Sequence, residues 1–597
     1  MKGSNLIAEF LRDQRVPHVF GLQGGSVVHI FDSLEQIGIP VTYTVHEQAA
    51  ALAAVSATRL SGVPCVCVVT TGPAGTNALT GLLAAWQDSI PTVFISGQTR
   101  SSQMSYGTNV RQVGSQEFPI IDVVKPMTKY AEVVRTVESL EETLKVAFEI
   151  ALSGRPGPVW LDIPVDVQWA EFERKSERTN LSAALNFSIS QSRIKASSRD
   201  LVELVESLKV SRLPLIWVGN GVRLAGAEKL LIDFLGKWSL PFVTTWGMKD
   251  FGSILPDSHM GTIGPFGQRG ANMAVFSSDL LIVLGSHLSI TQTSQVTAGY
   301  ASNAKIIVID IDQNELDQLQ VGVSMKINAD VGNVLASLVE AAPTNNSNRG
   351  EGWDILRFQK MNGIGDREVR LADAKVGFVN SDLFLSRFFK SIDFQHNVVI
   401  DGGGTALYSG FQSELSSLTR RILCSTAMSS MGTGVAEALG AMKVDPKRTI
   451  VIIGDGSFWM NAMDLVTALQ QQLPLTVLVI NNGGYLAIRH TQESFLGSRF
   501  YGTSPNWGLT FPKLENLANA LGLHYSRITS LSQIGDLAAE LGERVGVSLV
   551  EVMTPDDQPN LFKQATLRNE DGRVEALALR DMWPFAGGDG SSLKDAS

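Results

Sequence analysis

Short apolar runs rich in β-branched residues alternate with segments of helical periodicity along nearly the whole chain. VPCVCVV, PTVFIS, PLIWVG, DLLIVLG, KIIVIDID, RTIVIIG and LTVLVIN carry little polar alternation. Each reads as a strand buried on both faces, the pattern of parallel sheets covered by helices. Repeated strand–helix units predict an α/β protein of doubly wound parallel sheets. At the N-terminus Leu6, Ile7, Phe10 and Leu11 recur at helical spacing between charges, which predicts a surface helix and not a signal peptide. No apolar stretch approaches the roughly 18 residues of a membrane span. The expectation is a soluble, cytoplasmic protein.

The rhythm breaks in two polar segments, 171–195 and 343–376, both read as linkers. A chain of 597 residues exceeds what one core serves. The breaks divide it into three domains, 1–170, 191–342 and 377–555. A tail, 556–597, follows; the pattern turns irregular after Met553, and the last dozen residues have the composition of disorder.

The net charge of −10 argues against a protein that grips nucleic acid or an anionic membrane, which leaves small molecules as the expected partners. Of three cysteines, Cys65 and Cys67 sit two apart and share one face of a strand. A metal pair and a pair of buried free thiols both fit that spacing. The odd count suits a reducing compartment.

Chemistry concentrates in RTIVIIGDGSFWMNAMDLVTALQQQLPLTVLVINNGGYL. One strand ends in Gly454-Asp455-Gly456-Ser457, a helix follows, and the next strand ends in Asn481-Asn482. A right-handed crossover puts both strand ends on the same rim, so Asp455 and Asn482 can meet. A carboxylate, a side-chain amide and a loop carbonyl, for which Gly484 is placed, form a hard-oxygen set suited to Mg²⁺. Gly454 and Gly456 let the backbone approach, and the N–H groups that open the helix at Ser457 favour a diphosphate. A glycine-rich strand end alone is common in α/β folds. GDGS followed by NN, however, resembles the signature of thiamine diphosphate (ThDP) enzymes. That resemblance implies an activating glutamate in another domain, and His46-Glu47-Gln48, after the strand VTYTV, opens a small-residue helix. Alone, Glu47 reads as a helix N-terminal carboxylate. Beside GDGS…NN it reads as the acid that serves the cofactor's pyrimidine nitrogen.

Further segments resemble the acetolactate synthase family. They are the 70–99 stretch with Gly72 and Asn77, Gly24-Gly25, Gln116, Lys129 and Ser429-Ser430-Met431-Gly432. The resemblance implies pyrimidine-binding, middle and diphosphate-binding domains. It also implies a homodimer or homotetramer whose cofactor lies between the first domain of one subunit and the third of another. Met431 would prop the cofactor in its bent shape, Ser429 would offer its carbonyl, and Gln116 would contact substrate. In the middle domain Gly219, Gly221, Gly264, Gly267, Asp310, Asp312 and Asp330 match segments that hold a structural FAD, although a domain without a ligand fits the same glycines.

The implied reaction decarboxylates pyruvate, a 2-keto acid, and transfers the two-carbon unit to a carbonyl acceptor. Departures cluster around that acceptor. Ser286–Thr291 stands where the family has a paired aspartate and arginine, Ser115 replaces a phenylalanine, and Gly403–Leu407 replaces a Gln-His-Gln-Met-Trp segment. Loss of the arginine favours an uncharged ketone or a nucleotide-linked keto sugar, and the later segments look like a diverged, yersiniose-type branch that attaches an acetyl unit to such sugars. Other readings are a pyruvate-oxidase-like flavin oxidoreductase, a hydrolase or simple decarboxylase, and a non-catalytic regulatory subunit.

Overall fold

The computed structural model describes residues 1–173, 194–297, 299–343, 350–365, 369, 375–568 and 574–584. Three six-stranded sheets form its frame, all of their strands parallel. The first runs Val41–Tyr43, Val19–Gly21, Val66–Val69, Val93–Gln98, Val159–Pro164, Tyr130–Val133. The third runs Thr419–Leu423, His396–Ile400, Arg448–Gly454, Leu475–Asn481, Ser548–Met553, His524–Ile528. Counted in chain order within each sheet, both read 2-1-3-4-6-5. The middle sheet reads 6-5-4-1-2-3, from Met325–Asn328 through Lys305–Asp310, Leu280–Leu284, Pro214–Val218 and Phe242–Thr244 to His259–Thr262.

The uniformly apolar runs are the interior strands, buried residue by residue in Val66–Val69, Pro214–Val218 and Leu280–Leu284. The N-terminal helix Gly3–Asp13 buries Leu6, Ile7, Phe10 and Leu11 against the first sheet. Cys65, Cys67 and Cys424 are buried free thiols, and among the described residues no three His, Cys, Asp or Glu converge as a metal site. No helix among them is long and apolar enough to cross a membrane.

The outer domains are joined by two small-residue helices, Glu47–Ser61 and Gly434–Val444. A Cβ on Gly440 would stand 2.0 Å from the carbonyl oxygen of Ala53, so the two backbones touch. One apolar cluster accordingly runs from Cys65 and Cys67 through Ala50, Ala54 and Ala57 to Val435, Leu439 and Val451.

Two segments differ from their expected character. The stretch expected as a second linker contains a helix, Ile355–Asn362, that is packed on the middle domain. Trp353 and Phe358 enter that domain's core, and Asn362 Nδ2 donates to the Met260 carbonyl at 2.8 Å. Most of the other segment expected as a linker, 174–193, lies outside the described residues. Among the described residues the tail holds two short strand pairs. Lys563–Gln564 pairs antiparallel with Met582–Trp583, and Thr566–Arg568 with Val574–Ala576. Leu561, Phe562 and Met582 form a small core with Leu383, and Gln564 N donates to Pro265 O at 2.9 Å. The last dozen residues lie outside the described range.

Candidate active site

In open α/β sheets ligands bind beyond the carboxyl ends of the strands where the strand order reverses. In the third domain that point lies between His396–Ile400 and Arg448–Gly454. Gly454 ends the second of these strands and caps the helix Asp455–Met460. Asp455 is buried. Its Oδ2 accepts the Gly484 N–H at 2.9 Å, while its Oδ1 is buried with no partner. Burial pushes its carboxyl up to about 7, against the opposite pull of the Gly456 and Gly484 N–H groups. An orphaned buried carboxylate oxygen is costly unless a proton or a cation takes it up.

Asn482 is also buried, and Arg489 Nη2 donates to both its carbonyl (2.9 Å) and its Oδ1 (3.3 Å). Gly484, at φ +142°, threads between Arg489 and the Thr503 carbonyl, where a Cβ would sit 2.1 Å from the oxygen. At Gly456 a Cβ would overlap the Tyr485 ring at 2.2 Å. Gly454 faces open space, and the Ser457 hydroxyl is buried without a partner. Asp455 thus meets the backbone of Gly484 beside a helix N-terminus, two residues from the buried Asn482, and a carboxylate, an amide and a loop carbonyl are hard-oxygen groups of the kind that suit Mg²⁺.

Sequence reasoning missed two residues that shape this rim. Asp401, fully buried after the strand His396–Ile400, accepts the N–H groups of Gly403 (3.1 Å), Thr433 (2.9 Å) and Gly434 (3.0 Å). It ties the neighbouring strand end to the Ser429–Gly432 loop, and burial raises its carboxyl above the usual range. VVIDGGG beside VIIGDGS was the available signal. Arg489 is the other: it also donates to Thr503 O (2.7 Å) and Asp556 O (3.2 Å), so it ties the Asn482–Gly484 loop to the tail. In the Ser429–Gly432 loop Ser429 adopts φ +48°, and a Cβ at Gly402 would meet its carbonyl at 2.2 Å. Met431 is half-buried.

In the first domain the reversal lies between Val19–Gly21 and Val66–Val69. Gly24 packs on Thr70, where a Cβ would come within 2.5 Å, and Gly25 faces open space. Glu47 opens its helix after the N-cap His46, whose Nδ1 accepts the Gln48 N–H. The Glu47 carboxylate is half-buried and accepts from Asn77 Nδ2 at 3.0 Å. Gly72, at φ +65°, leaves room for the Gln116 carbonyl, which a Cβ would approach to 2.1 Å; the Gln116 side chain is exposed. Within one chain no hydrogen bond or ion pair among the described residues links Glu47 to Asp455 or Asn482. The domains meet instead through Asn461, which donates from Nδ2 to Gln48 Oε1 (3.3 Å) and to Gly432 O (2.7 Å). Lys129 lies apart from both rims, its ammonium donating to the Ile150 and Ser153 carbonyls at the end of the helix Val137–Leu152.

The middle domain lines a cavity of about 1080 Å³ that extends to the first and third domains. Gly221, Gly285, Asp310 and Asp330 line it, with Arg155 and Arg223. Gly219 and Gly221 press on the backbone of Gly285 at the sheet's reversal point, with Cβ clearances of 2.2 and 2.7 Å. The structure does not bring Gly219, Asp312, Gly264 or Gly267 to the cavity wall. Asp312 caps the helix Gln313–Asp317 and pairs with Arg155 at 3.1 Å. Gly264 bonds to Asn272 in a turn whose Pro265 meets the tail. Asp330, although on the wall, also caps its helix through Asn333 N. Cavity size and the reversal point fit a dinucleotide, whereas Arg155 is paired with Asp312 and Glu315 and Arg223 with Glu228 and Asp250.

Three family descriptions match in order. They are thiamine pyrophosphate enzyme, N-terminal TPP binding domain, at residues 1–122; the central domain at 201–338; and the C-terminal TPP binding domain at 404–552. The chain is 30% identical over 537 residues to the acetolactate synthase isozyme 2 large subunit of Escherichia coli (strain K12), covering 89% of this chain and 92% of that protein. It is 32% identical over 566 residues to the isozyme 1 large subunit of the same organism (92% and 93%). Against the acetolactate synthase large subunit of Corynebacterium glutamicum it is 31% identical over 606 residues (100% and 93%).

Proposed function

The chain belongs to the acetolactate synthase family of thiamine pyrophosphate enzymes, and from that premise we propose that it decarboxylates pyruvate and transfers the two-carbon unit to a carbonyl acceptor. The observation that carries this reading is the buried, unpartnered Oδ1 of Asp455, set beside Asn482 and Gly484 at the carboxyl end of the third sheet. The side chains of Asp455 and Asn482 and the Gly484 carbonyl would hold Mg²⁺. The N–H groups opening at Gly454–Ser457 would receive a diphosphate. Bound thiamine diphosphate supplies an electron sink for the carbanion left by decarboxylation.

Glu47 holds a proton toward a ring nitrogen, with Asn77 fixing its orientation. Ser429 presents a backbone acceptor, Met431 fills the space behind it, and Gln116 meets the substrate. In one chain Glu47 is half-exposed, with Tyr43 and Val45 exposed beside it and Met460 and Met463 exposed on the third-domain rim. The exposure of these faces supports a homodimer, or a homotetramer built from it, in which a second copy would cover them and the site would lie at the subunit interface. FAD in the middle cavity, in a structural role, completes the proposed cofactor set.

The acceptor reading follows from Ser286–Thr291. Here Trp217 Nε1 donates to Ser286 Oγ, Ser286 Oγ donates to Gln292, and Ser289 pairs with Thr291, so this segment offers hydroxyls and no arginine. That favours an uncharged ketone or keto sugar acceptor. The test is mass spectrometry of products from ¹³C-labelled pyruvate, with thiamine diphosphate and Mg²⁺, alone and with a panel of ketones, aldehydes and nucleotide-linked keto sugars. Labelled acetolactate from pyruvate alone would assign a 2-keto acid acceptor. Label on a neutral carbonyl only supports the uncharged acceptor, and acetate or acetaldehyde alone would overturn transfer to carbon.

A further inference from the structure

Between the strand Val93–Gln98 and the helix Ile120–Val124 the chain runs with almost no regular structure, interrupted only by a 3₁₀ turn at Ser101–Gln103. Loops of this length in a compact domain carry function or need a dedicated anchor. Gln116 sits near the end of this one, in the left-handed region at φ +57°, with its carbonyl against Gly72.

The anchor is a buried polar network centred on Asp162, in the strand Val159–Pro164, whose other residues are all buried as well. Asp162 Oδ1 accepts from Ser96 Oγ at 2.6 Å, and Oδ2 accepts from Gln98 Nε2 at 3.0 Å. Trp160 Nε1 donates to Ser96 Oγ at 2.8 Å, so the serine's own proton is directed to Asp162. The second hydrogen of the Gln98 amide goes to the Phe118 carbonyl at 2.9 Å. Gln98 Oε1 accepts from Thr71 Oγ1 (2.7 Å) and Thr99 N (2.9 Å). Turned over, that amide would set oxygen against the oxygens of Asp162 and Phe118, and its NH₂ against the Thr99 N–H. Asp162 therefore fixes a single orientation of Gln98. Gln98 in turn grips the loop where it leaves the sheet, at Thr99, and where it returns, at Phe118. It also grips Thr71, the residue before the glycine on which Gln116 rests. Within the loop, Glu117 closes the fold by accepting from Ser105 N and Oγ and from Val113 N.

A buried carboxylate costs stability compared with an apolar strand residue, and a fully satisfied polar network specifies one arrangement. We propose that Asp162 is a positioning residue which, through the Gln98 amide, holds the 99–119 loop so that Gln116 is presented to the substrate. This rests on the role proposed above for Gln116.

The test combines Asp162→Asn, which adds a donor where donors already converge, with Thr71→Val, which removes a hydroxyl at the far end of the network. Each is made in the full-length protein, alone and on Gln116→Ala. Hydrogen exchange of the loop amides is read first, then kcat and KM for pyruvate, with thermal midpoint and thiamine diphosphate affinity as controls. The expected result is faster exchange at Thr99, Ser105 and Val113 in both single variants. kcat/KM should fall by up to roughly 100-fold, with cofactor affinity within about twofold, and neither substitution should add to the loss in Gln116→Ala. Unchanged loop exchange in both variants overturns the proposal, and so does a loss that multiplies with that of Gln116→Ala. If the wild-type protein does not turn over pyruvate, the proposed reaction fails, while the exchange measurement still decides whether Asp162 anchors the loop.

Discussion

Gly440 and Ala53 bring two domains into backbone contact, with 2.0 Å between the Ala53 carbonyl oxygen and the place a Cβ at 440 would occupy. Backbone cannot yield there as a flexible side chain can. Gly440→Val is expected to destabilise the protein by about 3 kcal/mol or more, read as a lower thermal midpoint with faster hydrogen exchange in both helices. Gly236, in the helix Glu228–Trp238, has nothing within 4 Å of its Cβ position. Gly236→Ala should therefore raise stability by up to about 1 kcal/mol. Equal effects at the two glycines would refute the close-contact account.

The two candidate carboxylates should fail in different ways. Asp455→Ala removes a proposed metal ligand, so Mg²⁺-dependent thiamine diphosphate affinity should drop by roughly 100-fold or more. Glu47→Gln keeps a hydrogen-bonding group of the same shape. It should bind the cofactor almost normally while turnover falls by about 10² to 10⁴. Titration calorimetry beside steady-state kinetics separates the outcomes, and a Glu47→Gln protein that cannot bind cofactor would remove the assigned role.

Mixed assemblies test whether the site spans two chains. If Glu47 of one copy serves Asp455 of another, a mixed dimer of Glu47→Gln and Asp455→Ala chains contains one doubly damaged site and one intact site. Activity should reappear on mixing and refolding two inactive variants. Strictly additive inactivity at every mixing ratio would place the site within one chain.

Lys249 sets a pH signature. It is buried, donates from Nζ to Phe411 O at 2.7 Å, and burial lowers its pKa from 10.5 to about 7. Between about 7 and 10.5 the unfolded chain holds more protons at this site than the folded one, so its contribution to stability rises with pH at up to about 1.4 kcal/mol per unit. Below about 7 the folded state carries the full cost of a buried cation. Lys249→Met should flatten that slope, and should stabilise the protein relative to wild type more at pH 6.5 than at pH 9.5. Parallel stability curves for the two proteins would exclude this contribution.

The parallel sheets were readable because strands buried on both faces leave no polar position, as in Leu280–Leu284 and Pro214–Val218. Asp455 and Asn482 stood out because each closes such a run beside glycine. Asp401 closes a run beside glycine in the same way and was overlooked, whereas Asp162 was not legible, since a lone acid within a strand looks the same whether it organises a polar network or meets solvent. Capping misled in the other direction. Asp312 resembles a ligand residue in sequence, yet its carboxylate serves its own helix and Arg155. The tail was illegible for want of a period: Leu561, Phe562, Leu579 and Met582 are buried, but turns separate them. In the helix Ile355–Asn362 Phe358 is the one apolar residue fully buried, too little to stand out in a polar stretch.

The strand order shared by the two outer sheets has a historical reading. Two units of one topology in a single polypeptide are what duplication of an ancestral unit leaves behind. The rims at their matching strand ends now differ: Asp455 follows the strand Arg448–Gly454, and Thr70 follows its counterpart Val66–Val69. On that view the acid was gained by one descendant or given up by the other. Placing an aspartate at position 70 would ask whether that rim can carry a carboxylate in the same place.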